Sequence, residues 1–126
     1  MTFGPKHYMP VLKVKRGEKA ALQCIASSLR AGITPLLEIV KRTKASVPAH
    51  IETAFNGLAA AASLYSRCLI DTREIHPDGA GAVRAVFERA AASGMIFTPV
   101  TGISRTVDVD AALAYRHNGI AVRLTH

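Results

Sequence analysis

The sequence predicts an α/β protein in which a parallel sheet of about five strands is flanked by four helices. Three observations point there. Short apolar runs alternate with longer runs of helical periodicity from one end of the chain to the other. A glycine stands just before three of the short runs, in "AGITPLLEI", "SGMIFTPVTGI" and "NGIAVRL". These form a weak repeat of about 25–33 residues, the span of a strand, a helix and two loops. Finally, charged residues within the strand runs fall on one parity only and toward the C-terminal end of each run.

The first strand is expected over Met9–Lys15, where apolar and charged residues alternate. A helix should follow from near Gly17 to Ala31, with Leu22, Ile25 and Leu29 at helical spacing and Gly32 as its stop. The second strand is "ITPLLEIV", followed by the basic loop "KRTKAS". Ser46 is placed to cap the second helix and Pro48 to sit in its first turn, where a missing amide hydrogen costs little. Ile51, Phe55, Leu58 and Ala62 make one apolar stripe on it. The third strand is "RCLIDTREI". "HPDG" reads as a turn in which Asp78 caps the third helix. That helix carries Val83, Val86, Phe87 and Ala90 on one face and ends at Gly94. The fourth strand is "MIFTPVTGI". The fourth helix starts near Asp108, includes Leu113 and Tyr115, and ends at "HNG". "IAVRLTH" is the fifth strand. Pro10, Pro35 and Pro99 run against this pattern, because proline cannot donate to a sheet ladder, so they belong near strand entrances.

Two architectures use such elements: half of a (β/α)8 TIM-type barrel and an open doubly wound sheet. The strand parity favours the barrel half. Val11, Lys13 and Lys15 share one parity, as do Leu36 and Glu38, then Leu69, Asp71 and Arg73, then Ala121 and Arg123. A helix-covered face would not tolerate those charges, whereas a barrel mouth would. The 126 residues are expected to form a single domain, 1–126.

Composition narrows the function classes. Hydrophobic content of 49% and charged content of 20% suit a chain that buries a core, and exclude a disordered one. No apolar run is long enough to span a bilayer, and "MTFGPKHYMP" lacks the apolar centre of a secretory signal, so a cytoplasmic location is expected. Cys24 and Cys68 each lie in an apolar run and are expected to be reduced, buried small hydrophobes. The formal charge of +7 favours anionic partners, although the basic residues are scattered. Aromatic residues are not interleaved with them, which weakens the case for single-stranded nucleic acid.

The candidate site is the set of charges at the strand ends: Lys13, Lys15, Glu38, Asp71, Arg73 and Arg123. Buried charges must pair, meet water or hold an ion. Lys15, Arg73 and Arg123 are therefore candidates to grip a phosphate or carboxylate, arginine doing so bidentately. Lys13, Glu38 and Asp71 are the candidate catalytic groups, with either carboxylate available as a general base or as a ligand to a divalent metal. A purely structural ion-pair network is the competing reading. "TGISRT" (101–106) adds Arg105 as a further anion contact, against the plainer expectation of a solvated loop. "DGAGAV" (78–83) has too few glycines for a dinucleotide fingerprint and reads as a turn and cap. His7, His50, His76, His117 and His126 show no metal-ligand spacing, so no metal site is expected and no cofactor is indicated.

The opening resembles that of the Beta protein family of phages and bacteria. Tyr8, Pro10, Leu12, Lys13, Lys15, Gly17, Glu18, Ala21 and Leu22 carry the resemblance, and "TPLLEI" and "LIDTREI" look like the family's next strands. The resemblance implies a TIM-type barrel from a longer chain, of which this would be a truncated, split or domain-only form. It implies no reaction. Two functions are then open. One is a barrel-like domain binding an anionic, phosphate- or carboxylate-bearing small molecule at its strand ends. The other is a non-enzymatic phage or mobile-element interaction module. Its basic loops, with Arg16, Lys19, Lys41, Arg42 and Lys44, would contact nucleic acid or an acidic protein. Unpaired strand edges also lead us to expect self-association, or docking onto a missing C-terminal half-barrel.

Overall fold

The computed structural model of the protein describes residues 8–102 and 105–123. Its strands are β1 (Val11–Lys13), β2 (Leu36–Glu38), β3 (Cys68–Asp71), β4 (Phe97–Thr101) and β5 (Ala121–Val122). They form one sheet in the order β1-β2-β3-β4-β5, every neighbouring pair parallel. The order contains no reversal, so the sheet has no switch point of the kind a doubly wound sheet requires. The register aligns Lys13, Glu38, Asp71, Val100 and Ala121 on one rung.

The two parities of the sheet part as expected. Leu37, Ile39, Cys68, Ile70 and Phe97 share the main core with Leu22, Phe55, Leu58, Val83 and Phe87 from the helices. Leu36, Leu69 and Val100, on the other parity, form a second, smaller apolar cluster with Ala121 packed against it. Phe87 is fully buried, stacked on Phe97 at 5.9 Å between ring centroids and tilted against Tyr115.

Among the described residues there are six α-helices where four were expected, because two of the expected ones break. The first becomes α1 (Arg16–Cys24) and α2 (Ser27–Arg30). Ile25 and Ala26 between them are extended, with ψ of 132° and 136°. Arg30 stabilises the break by donating to Ile25 O at 3.0 Å and Gln23 O at 3.4 Å, carbonyls near the end of α1. Two expectations are overturned here. Leu29 is 62% exposed and extends no buried stripe. Cys24 is exposed, not buried, because it lies two positions, about 200° of helix, from the buried Leu22. The second expected helix becomes α3 (Val47–Phe55) and α4 (Leu58–Ala62), divided at Gly57, whose φ of 74° a side chain would disfavour. Ser46 caps α3 as expected, its Oγ accepting from Ala49 N at 3.3 Å. Ile51, Phe55, Leu58 and Ala62 remain buried together across the division.

In α5 (Ala80–Ala92), Val83, Val86, Phe87 and Ala90 are wholly buried. Asp78 does not cap this helix. Gly79 occupies the N-cap, and the Asp78 carboxylate instead takes Arg42 Nη2 at 2.9 Å. Helix α6 (Thr106–Ala114) begins just before Asp108. The three strand prolines are accommodated differently. Pro10 and Pro35 precede β1 and β2, whereas Pro99 lies inside β4. Arg123 N donates to Thr101 O at 2.8 Å, so the parity of Thr101 and Pro99 addresses β5. Pairing with β5 starts only at Val100–Ala121, so Pro99 removes no ladder bond. Ile103, Ser104 and the C-terminal part of the expected fifth strand, 124–126, lie outside the described residues. Among the described residues, no helix is long and apolar enough to cross a membrane.

Candidate functional site at the strand ends

Glu38 closes β2 and Asp71 closes β3, side by side on one rung of the sheet. Both are buried, at 1% and 0% exposure. Their parity turns them away from the helix-packed core, where apolar side chains could not satisfy a carboxylate. Three arginines meet them from beyond the strands. Arg73, two residues after Asp71, donates Nη2 to Glu38 Oε1 at 3.2 Å, and its backbone N donates to Asp71 Oδ1 at 2.9 Å. Arg123, just past β5, places Nη1 2.9 Å from Glu38 Oε2 and 2.8 Å from Asp71 Oδ2. Arg105, from the loop between β4 and α6, places Nη1 2.8 Å from Asp71 Oδ1. Every oxygen of both carboxylates thus accepts at least one hydrogen bond.

The cluster extends through Asp108, in the first turn of α6. Its Oδ2 accepts from Arg105 Nη1 at 3.0 Å and from Thr72 Oγ1 at 3.1 Å, and its Oδ1 lies 3.2 Å from His76 Nδ1. Three carboxylates (Glu38, Asp71, Asp108) therefore face three guanidiniums (Arg73, Arg105, Arg123). Formal charge balances, which is what lets so many ions sit out of water. The Arg123 pKa is raised further by its hydrogen bonds to Asp71 and then Glu38, which outweigh the opposing effect of burial.

The donor side is not exhausted. Among the described residues, Arg105 Nη2 is buried without a hydrogen-bond partner, as is Thr101 Oγ1. Arg73 and Arg123 each pair through one terminal nitrogen, and their side chains stay 42% and 25% exposed. Gly102 makes room for Arg105: a Cβ there would come 2.8 Å from Arg105 Nε.

The candidate residues read from the sequence divide into three groups. Glu38, Asp71, Arg73, Arg105 and Arg123 converge. The expected solvated loop is overturned at Arg105, which is buried. Lys13 shares the rung of Glu38 but reaches outward, its Nζ 3.0 Å from Glu74 Oε1. Lys15 stands apart altogether. The strand ends at Lys13, and Lys15 is the residue before α1, so the alternation that would have aimed it at the cluster has already stopped. Sequence reasoning missed Glu74, Thr72, His76 and Asp108 as members. The Arg105–Asp108 spacing of three across a helix start was the one signal for Asp108. Among the described residues, no group of three or more His, Cys, Asp or Glu side chains is arranged to hold a metal ion.

Residues 8–126 match the family model described as Beta protein, and the chain belongs to that family. No curated protein and no solved structure matches it.

Proposed function

We propose that this Beta protein family chain is a segment of a barrel-type α/β domain that binds a small phosphate- or carboxylate-bearing molecule at the carboxyl ends of its strands. The sequential parallel order supports the barrel reading. The observation that carries the ligand reading is Arg105 Nη2, a buried donor with no acceptor among the described residues. An oxyanion beside it, contacted also by the free donors of Arg73 and Arg123, supplies what the protein lacks. In this reading Glu38 and Asp71 hold the arginines in place and Lys13 stands at the rim. Titrating the protein with inorganic phosphate, while following the Nε–H resonances of Arg73 and Arg123 by NMR, tests it. Both resonances are expected to shift saturably, and Arg73→Gln to weaken binding at least tenfold. Static arginine resonances up to high phosphate would overturn the reading.

A second reading concerns partners. Among the described residues, one strand at each end of the sheet has an unpaired side. Tyr8, Met9 and Val11 are exposed at one end, Ile120 and Val122 at the other. Such edges favour pairing between two copies of the chain. Sedimentation is expected to show concentration-dependent association, and a monomer at every concentration would exclude it.

A further inference from the structure

A cleft lies elsewhere, between α1 and the α3–α4 junction, and shares no residue with the ion cluster. It has about 680 Å³, within the range of small-molecule sites. Its charged lining is all of one sign: Lys15, Arg16 and Lys19. Among the described residues none of the three forms an ion pair, and Glu18, on the same helical turn, is not part of the lining. The floor is apolar, made by Val14, Val40 and Ala54.

The polar groups around this floor are fixed or free in a telling way. Lys19 Nζ donates to Thr53 O at 3.1 Å and Asn56 O at 2.9 Å, which anchors it at the C-terminal end of α3 with one ammonium hydrogen left over. Burial lowers its pKa. His50 Nε2 lies 2.7 Å from Val40 O. A carbonyl only accepts, so Nε2 carries the hydrogen and donates it. Gln23 and Asn56 also line the cleft.

We propose that this cleft binds a nucleoside phosphate. Its phosphate would lie against Lys15 and Arg16, the latter able to bind it bidentately. The planar base would lie on Val14, Val40 and Ala54, beside Gln23 and Asn56. Neither a bare anion nor an uncharged apolar molecule uses both halves of the lining. The site is independent of the strand-end arginines.

Calorimetry on the full chain with adenosine monophosphate tests this. Saturable binding is expected, at least tenfold tighter than that of inorganic phosphate. Lys15→Glu with Arg16→Glu, both exposed and without ion-pair partners, should weaken it at least tenfold and leave the thermal midpoint unchanged. Ala20→Phe, which fills the cleft from an exposed position without altering charge, should also weaken it, whereas Arg73→Gln should not. A single-stranded oligonucleotide binding tighter still and unaffected by Ala20→Phe would assign the binding to the basic surface and overturn the proposal. In the Arg73→Gln background, which weakens the strand-end site, inorganic phosphate binding as tightly as the nucleotide, or nucleotide affinity unchanged by the Lys15→Glu and Arg16→Glu reversal, would overturn the proposal.

Discussion

Arg105 Nη1 lies 2.8 Å from Asp71 Oδ1 and 3.0 Å from Asp108 Oδ2, so one nitrogen ties the end of β3 to the start of α6. Both carboxylates are wholly buried. Removing the guanidinium would leave Asp108 without its guanidinium partner and Asp71 with Arg123 alone, the costly way to break a buried pair. Arg105→Ala is expected to lower unfolding free energy by about 3–5 kcal/mol. Lys13→Ala should cost only about 0–1 kcal/mol, because the Lys13 side chain is half exposed and water screens its pair with Glu74. Urea unfolding midpoints of the two variants, compared at equal slope, check the contrast.

Gly102 is expected to resist the smallest substitution. The Cβ of Gly102→Ala would meet Arg105 Nε at 2.8 Å and Nη2 at 3.2 Å. A free arginine tip would swing aside, but this one is held by two carboxylates. The variant should lose about 1–3 kcal/mol by overpacking. Because Arg105 must move, phosphate binding at the strand ends should fall as well. A stability equal to that of the parent would show that the guanidinium relocates without cost.

Much of this arrangement was legible in the chain because it depends on strand parity. Glu38, Asp71 and Arg123 share the parity of apolar residues that face away from the helices, and a parallel register brings them together whatever the loops do. Lys15 was misplaced because alternation describes a strand only as far as the strand runs, and β1 stops at Lys13. The roles of Thr72, Glu74 and Asp108 were hidden for another reason. Their partners lie 36, 61 and 3 positions away, and two of those separations depend on how loops close in space. The breaks at Ile25 and Gly57 were hidden by the stripes of apolar residues that continue across them. Gly57 was the only local sign of either.

The two cysteines should react very differently. Cys24 is exposed, whereas Cys68 sits in the main core. Burial pushes the Cys68 thiol up to about 12, so it forms almost no thiolate near neutral pH. A thiol reagent is expected to label Cys24 alone in the folded protein, and Cys68 only once urea has opened the core. Peptide mapping of the labelled sites, before and after unfolding, reads this directly. Prompt native-state labelling of Cys68 would mean that β3 is not packed as described.

Glu74 should contribute to stability in a defined pH window. Burial alone would raise its pKa, but several effects outweigh it. Hydrogen bonds come from Lys13 and from the Lys41 amide, and the charges of Lys13 and Arg73 add to them, so the net shift is downward from 4.5. A carboxylate with a depressed folded-state pKa stabilises the fold above its unfolded value and loses that contribution as pH falls through the folded one. Glu74 should therefore add its full increment at neutral pH and lose it progressively below about 4.5. Glu74→Gln removes the titrating group but keeps the shape. Its stability should lie below that of the parent at pH 7, and the two curves should converge in acid. The measurement is the urea midpoint of both proteins from pH 7 down to the acid transition. A constant gap across that range would assign the contribution of Glu74 to its packing and not to its charge.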